Sequence, residues 1–153
     1  MARIGVFVGS VFGGAEGVAD AVTEFLTAQG HEAEMFTVAT LDEFLGYRSD
    51  RVLVISSTTG QGEIPENLLP LFQMLRDHFP LLPDLGYGVV AMGDSSYGED
   101  RYCGAGRQFD TLLTELQAKP LAPRLDVDAC IHFDPLEVVM PWLQEWLVQA
   151  EAA

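Results

Sequence analysis

The residues best suited to binding chemistry form one polar stretch near the middle of the chain, SSTTGQGE at positions 56–63. Its hydroxyl groups can donate hydrogen bonds to an electron-rich ligand, and its glycines allow the backbone to approach that ligand closely. The same composition is also typical of a connecting turn. By itself, the stretch therefore predicts either a binding loop for a polar ligand or a plain turn.

Two further polar segments carry a glycine-rich turn and a pair of tyrosines. The segment GSVFGGAE at 9–16 leads into a predicted helix. The free N–H groups and the positive dipole end at the start of that helix favour binding of a phosphate. Alternatively, the glycines serve close packing alone. It has neither the G-x-G-x-x-G spacing nor the Walker lysine, which argues against a dinucleotide or a nucleoside triphosphate. The segment GDSSYGEDRYCG at 93–104 contains Tyr97 and Tyr102, whose rings can stack on a planar ligand or cover an edge of the core.

Catalytic and metal-binding patterns are not evident in the sequence. No set of residues resembles a catalytic triad or an acid–base pair, and Asp94 has no evident partner, so we interpret it as a solvated loop carboxylate. Cys103 and Cys130 are the only cysteines, which is too few for a disulfide framework or a metal-ligand set. The sequence therefore predicts neither catalytic residues nor a metal site.

Each polar segment follows a predicted β-strand. Continuous apolar runs within 3–9, 52–55 and 87–92 predict three strands buried on both faces, as in a parallel sheet. Two other segments mix apolar and polar residues and predict edge strands, at 31–38 and at 125–133, where Leu125, Val127, Ala129, Ile131 and Phe133 alternate with polar residues.

Helices are predicted between the strands and after the last one. Apolar residues recur at helical spacing in four sets: Val18, Val22, Phe25 and Leu26; Leu68, Leu71, Phe72 and Leu75; Phe109, Leu112, Leu113 and Leu116; and Val138, Val139, Trp142, Leu143, Trp146 and Leu147. Gly30 is predicted to end the first helix and Asp134 to cap the last, while Pro141 predicts a kink in the last helix or its true start. The connector at 40–50 has room for a short helix.

The alternation of strands and helices predicts an α/β fold with a doubly wound, five-stranded parallel sheet in the order 2-1-3-4-5 and helices on both faces. The length of 153 residues fits a single domain spanning 1–153. The three polar segments then meet at the carboxyl end of the sheet, where open α/β sheets bind ligands.

The charge of the chain limits its partners. The net charge is −15 and Lys119 is the only lysine, which argues against nucleic acid and anionic membranes. An acidic surface suits docking onto a basic protein, or serves solubility alone. No apolar stretch approaches the ~20 residues of a membrane span, the first residues do not resemble a signal peptide, and two cysteines fit a reducing compartment, so we expect a cytoplasmic protein.

Along essentially its whole length, the chain resembles the flavodoxins, in particular the short-chain bacterial group of the YqcA and MioC type. The resemblance depends on GSVFGGAE from Gly9, SSTTGQGEIPENL from Ser56 and GDSSY from Gly93, of which the last two are the more specific. It implies a flavodoxin-like fold that binds FMN.

The resemblance also assigns FMN-binding residues. Those implied for the phosphate loop are Ser10, Val11, Phe12, Gly13, Gly14 and Ala15, with Ser57 as a further phosphate contact; those implied beside the flavin are Thr58, Thr59, Gly60, Gly93, Asp94, Tyr97, Tyr102 and Cys103. Most flavodoxins have more hydroxyls in the phosphate loop, so Ser10 and the backbone amides must contribute more here. Between Tyr97 and Tyr102 this chain has two more residues than the usual pattern.

The function implied by the resemblance is that of a monomeric electron carrier, which shuttles single electrons between a flavodoxin reductase and an acceptor enzyme that dock on its acidic face. The alternative is an FMN-dependent quinone or small-molecule reductase on the same fold, although the short loops leave little sequence for a substrate pocket. A phospho-acceptor signalling domain of the same topology would need an acidic pair after the first strand and an aspartate after the third. The chain has Gly9-Ser10 and Ser56-Ser57 in those places.

Overall fold

A computed structural model describes residues 2–10, 13–58, 62–98, 102–132 and 134–152, apart from the side chain of Tyr97. The strands are β1 (Arg3–Gly9), β2 (Glu32–Phe36), β3 (Arg51–Ser56), β4 (Gly86–Gly93), β5 (Lys119–Pro120) and β6 (Leu125–Asp128). The helices are α1 (Gly14–Ala28), α2 (Leu41–Leu45), α3 (Leu69–His78), α4 (Gly104–Glu115) and α5 (Leu136–Ala152), with a short 3₁₀ helix at Ser95–Tyr97.

The strands form one parallel sheet in the order β2-β1-β3-β4-β5, and β6 also pairs with β4. The predicted doubly wound order is therefore confirmed. The three strands with continuous apolar runs lie inside the sheet, because a parallel strand covered on both faces needs apolar side chains on both. Among the described residues, no helix is both long and apolar enough to cross a bilayer.

The last edge strand is shorter than its alternating pattern predicts. It consists of two pieces, β5 and β6, and the chain leaves the sheet after Asp128. The Asp128 carboxylate accepts the Cys130 N–H at 2.9 Å, and its carbonyl accepts the N–H groups of Ile131 and His132, so these bonds close a turn. Ile131, predicted to face the core, is 73% exposed. Phe133 lies outside the described residues.

Helices cover both faces of the sheet, as predicted. On one face, α1 and α5 pack on the even-numbered side chains of β1, such as Ile4 and Val6; on the other face, α2, α3 and α4 pack around Phe7. Trp142 and Trp146 are buried in the first of these two cores, as their spacing predicts.

The helix ends largely follow the sequence signals. Gly30, at φ +90°, donates its N–H to Thr27, and His31 donates to Leu26, which is the Schellman pattern of a helix end. The Asp134 carboxylate accepts the Leu136 N–H at 3.0 Å, close to the predicted cap. Pro141 lies inside α5 and does not mark its start.

Close packing of α5 on β4 depends on a glycine. A Cβ on Gly88 would lie 2.5 Å from Trp146 Nε1 and 2.8 Å from Trp142 Cη2, so Gly88→Ala must displace the indole rings. We expect a loss of about 1–3 kcal/mol in the free energy of unfolding, measured by urea titration. In the control Gly17→Ala, on α1, the Cβ meets nothing within 4 Å, and the helix should gain about 0.5–1 kcal/mol. Equal stability of the two variants would contradict this packing.

Candidate functional site

The carboxyl ends of the inner strands lie side by side and set the position of the candidate site. Gly9 of β1 is in register with Ser56 of β3, Ser56 with Ala91 of β4, and Gly93 of β4 with Asp128 of β6. The loops after β1, β3, β4 and β6 therefore start from one edge of the sheet. Three of them contain the predicted polar segments, and the fourth, after β6, was not predicted to contribute.

The loop after β1 presents the N-terminus of α1. Gly13 has a φ of +85°, a conformation that glycine adopts without strain, and its N–H donates to Ser10 Oγ at 2.8 Å. No side-chain hydrogen bond caps the start of α1 among the described residues, so its first N–H groups and the helix dipole face an anion without a competing acceptor. Ala15 is fully buried. Val11 and Phe12 lie outside the described residues.

The loop after β3 is tied to both of its neighbours. The Ser57 N–H donates to the Gly9 carbonyl at 2.9 Å, and the Ser57 hydroxyl donates to the same oxygen at 3.3 Å. Thr58 Oγ1 accepts the Ala105 N–H of α4 at 3.3 Å. Both hydroxyls therefore join loops as well as line the site. Thr59 and Gly60 lie outside the described residues.

Asp94, interpreted from the sequence as a solvated carboxylate without a partner, has three hydrogen bonds. Its Oδ1 accepts the Ser96 hydroxyl at 2.6 Å, the Ser96 N–H at 2.9 Å and the Cys130 thiol at 2.8 Å. The thiol and the Ser96 hydroxyl lower the pKa of Asp94 below its ordinary value, because each stabilises the ionised form. Sequence reasoning missed this partner because Cys130 is 36 residues away.

Asp128 connects the loops after β4 and β6. Its Oδ1 accepts the Ser95 N–H at 3.2 Å and the Cys130 N–H at 2.9 Å. Hydrogen bonds from Ser95 and Cys130 lower the pKa of Asp128, so this carboxylate remains ionised at neutral pH. A carboxylate oxygen of Asp94, one of Asp128 and the sulfur of Cys130 lie within 4.8 Å of one another, and the hydrogen bonds between these residues hold the two loops together.

Cys103 and Tyr102 lie at the start of α4. Cys103 is buried with a φ of +52°, and its thiol donates to the Ala91 carbonyl at 3.3 Å. Burial raises the pKa of the Cys103 thiol to about 11, with a further contribution from Asp126, so the thiol stays neutral. The Tyr102 ring is half-buried, with the Arg107 guanidinium 5.7 Å from its centroid, and burial raises the Tyr102 pKa. The Tyr97 side chain lies outside the described part of the chain, so its stacking role stays a prediction.

A cavity of about 340 Å³ lies between these loops. Its lining among the described residues consists of Gly14, Ser57, Thr58, Met92, Gly93, Asp94, Val127, Ala129, His132 and Pro135. Five of the predicted binding residues therefore meet at one cavity. Ser10, Gly13, Ala15, Tyr102 and Cys103 lie in the surrounding loops and helix starts but are not part of this lining. The sequence reasoning missed Val127, Ala129 and His132 because the alternating pattern placed them in an edge strand, and it missed Pro135 because that residue was assigned to the start of the last helix.

The donor set and shape of the cavity fit FMN. Backbone N–H groups at the start of α1 suit its phosphate, and the hydroxyls of Ser57 and Thr58 add polar groups to the lining. Met92, Val127 and Pro135 give part of the wall an apolar surface, as an aromatic ring system requires. A mononucleotide has one phosphate, so the single turn before α1 is sufficient to bind it.

Comparisons with known proteins agree with this fit. The flavodoxin family model matches residues 6–142. The chain is 46% identical to Flavodoxin YqcA of Pectobacterium carotovorum over 153 residues, covering 99% of this chain and 100% of that protein. It is 33% identical to a MioC homologue of Pasteurella multocida, covering 96% of this chain and 97% of that protein. The structure of a cysteine-to-serine variant of flavodoxin from Pseudomonas aeruginosa superposes with a TM-score of 0.90 at 39% identity, covering 97% of this chain and 99% of that one.

The family match and the fold define this chain as a flavin mononucleotide-binding electron-transfer protein. The chain belongs to the flavodoxin family. The resemblance to the short-chain YqcA and MioC group is also confirmed, and redox proteins are its class of partner.

The two cysteines should differ sharply in reactivity. Cys130 is exposed, whereas Cys103 is buried and its pKa of about 11 keeps it protonated throughout the neutral range. We expect Ellman's reagent at pH 8 to titrate one thiol in the native protein and both in denaturant. Cys130→Ser should abolish the native reaction. A native reaction that survives in Cys130→Ser would contradict the burial of Cys103.

Proposed function

We propose that this flavodoxin is a carrier and not an enzyme: it moves single electrons between a reductase and an acceptor protein, with FMN held in the cavity described above. The observation that carries this proposal is the cavity itself, where an uncapped helix N-terminus, two loop hydroxyls and apolar side chains meet at the carboxyl edge of the sheet. We further propose that residues 1–153 form one domain, because one sheet connects all the described strands. We also propose that this domain is a monomer in the cytoplasm.

In the proposed binding mode, each loop contacts a different part of FMN. The backbone of 10–15 and the Ser57 hydroxyl would hold the phosphate, Thr58, Thr59 and Gly60 would lie beside one face of the flavin, and Tyr97 beside the other. Asp94, Gly93, Tyr102 and Cys103 would border its remaining edge. When bound, FMN supplies the redox chemistry, accepting and releasing single electrons.

Three titratable groups near the cavity have pKa values that are shifted away from those of a general acid or base. Asp94 and Asp128 accept hydrogen bonds that lower their pKa values, and burial raises the pKa of Cys103. A general acid or base works best with a pKa near the operating pH, and each of these shifts moves a group away from it. The protein then contributes binding, orientation and electrostatics, while the chemistry belongs to the cofactor.

The proposed phosphate site depends on backbone geometry more than on one hydroxyl. Gly13→Val places a β-branched residue at φ +85°, a conformation that costs roughly 1–2 kcal/mol for a residue with a Cβ and distorts the turn that begins α1. Ser10→Ala removes the side-chain acceptor of the Gly13 N–H but keeps the backbone N–H groups at the start of α1 and adds no strained residue. In titrations of apo-protein with FMN, we therefore expect Gly13→Val to raise Kd more than Ser10→Ala. The reverse order would refute a backbone-dominated site.

The partners are proposed to dock on an acidic face around the cavity. Glu63 and Glu66 are exposed in the segment after β3, and Asp94 lines the cavity. Glu99 and Asp100, also expected in this face, lie outside the described residues. With 23 acidic and 8 basic side chains, the chain would attract a basic surface over long distances.

The carrier function can be tested by electron transfer from a flavodoxin reductase to the FMN-loaded protein. The rate should fall as ionic strength rises, because exposed charges are screened beyond ~10 Å at 0.1 M salt. Replacing both Glu63 and Glu66 with Gln should lower the rate at low salt and flatten its salt dependence. The control replaces both Glu24 and Glu145 with Gln, at exposed positions of α1 and α5. The two double variants have the same net charge, so a difference between them depends on the position of the charges. Turnover of a quinone with NADPH in the absence of a reductase would instead support an enzyme.

A further inference from the structure

Asn67, the only asparagine in the chain, connects three segments at the edge of the proposed phosphate site. Its Nδ2 donates to the carbonyls of Val8 and Thr37, both at 2.7 Å, and its Oδ1 accepts the Ser10 N–H at 3.0 Å. Two acceptors and one donor surround the carboxamide, so its orientation is fixed by its partners. These partners lie 30 to 59 residues away in the sequence.

The carboxamide of Asn67 takes the place of a missing strand residue. β2 ends at Phe36, opposite Phe7, whereas β1 continues to Gly9. In a parallel ladder, a residue donates its N–H to the carbonyl of the residue that precedes its cross-strand partner. Its own carbonyl accepts the N–H of the residue that follows that partner. The Gly9 carbonyl faces β3, where it accepts the Ser57 N–H, so Val8 O and Ser10 N face the side that β2 has left. Asn67 bonds to both and so extends the ladder of β1 into the loop.

The backbone around Asn67 is well anchored. The Pro65 carbonyl accepts the N–H groups of Leu68 and Leu69 at 3.0 and 2.9 Å, which forms a tight turn before α3. Leu68 is 1% exposed and packs against Gly9, where a Cβ would lie 3.0 Å from Leu68 Cδ2. The core of the protein therefore fixes the point from which the Asn67 side chain reaches Ser10.

We propose that Asn67 is a positioning residue for the phosphate of FMN, an inference that rests on the proposed cofactor site. The Asn67 Oδ1 accepts the N–H of Ser10, and the Ser10 hydroxyl oxygen in turn accepts the N–H of Gly13, which precedes α1. Through these two bonds, the carboxamide fixes the backbone at Ser10 and Gly13, which flank positions 11 and 12, before any ligand arrives. An ordered loop binds more tightly than a mobile one, because less conformational entropy is lost on binding.

The test compares FMN with riboflavin, which lacks the phosphate. Asn67→Ala removes all three hydrogen bonds, and we expect the Kd of the apo-protein for FMN to rise about tenfold or more, as the loss of one or two net hydrogen bonds implies. The Kd for riboflavin should change by less than about threefold, because the loop faces the phosphate. Quenching of flavin fluorescence measures both constants, and urea titration verifies that the variant is folded.

Gln108 offers a matched control in another loop. Its Nε2 donates to the carbonyls of Gly62 and Gly104, at 3.0 and 3.2 Å, so it is also a carboxamide that holds a loop of the site. The Gly62 loop adjoins the proposed flavin face and not the phosphate, so Gln108→Ala should change the two constants by similar factors. If Asn67→Ala does not fold, Asn67→Ser replaces it, because its hydroxyl can satisfy one of the two carbonyls; the same selective loss is expected.

The outcomes separate the inference from the proposed site. A selective loss of FMN affinity in the Asn67 variant supports the positioning role. An unchanged FMN affinity, or an equal loss for FMN and riboflavin, overturns it, since Asn67 then only stabilises the fold. If the parent protein binds FMN no better than riboflavin, the proposed phosphate site itself is wrong, whatever the variants do.

Discussion

The parallel pairing of β1, β3 and β4 is the constraint on which the rest of the structure depends. It brings Gly9, Ser56 and Ala91 to one edge of the sheet in register, so that every following loop starts within reach of the next. The pairing requires side chains that can be buried on both faces, and the three strands consist almost entirely of them. Shifting a strand by one residue would exchange its two faces and also move its loop.

Polar side chains then connect the loops that follow the strands. Each loop of the site is tied to another through a polar side chain. The Ser57 hydroxyl donates to the end of β1, Thr58 accepts an N–H at the start of α4, and Asp128 accepts an N–H of the loop after β4. These bonds act at the place where the ladder stops, and where the backbone groups would otherwise need water or a ligand. The polar residues of the loops therefore order the site, and in the proposed binding mode they also face the cofactor.

The fold was predictable because its signals are local, whereas the ties between the loops are not. Continuous apolar runs, helical stripes and a glycine such as Gly30 act over a few residues, and together they gave the correct strand order. Asn67 and the Asp94–Cys130 pair have partners 30 to 59 residues away, and no pattern in one sequence reveals them. The alternation after Leu125 was misleading for a related reason: the Asp128 carboxylate turns the chain out of the sheet, and a hydrophobic pattern carries no information about that bond.

The negative net charge of this protein opposes the binding of a negatively charged phosphate. The net charge of −15 repels an anion at long range, and among the described lining residues of the cavity only His132 can become positively charged. Neutral donors remain: the backbone N–H groups and dipole at the start of α1. A dipole is effective only when it is oriented in advance, whereas a lysine side chain can move to its ligand. The use of neutral donors leaves the surrounding surface acidic, so the proposed phosphate site is compatible with the proposed docking of a basic partner. The proposed ordering of the loop by Asn67 serves the same arrangement, because it fixes neutral donors in place of a mobile cation.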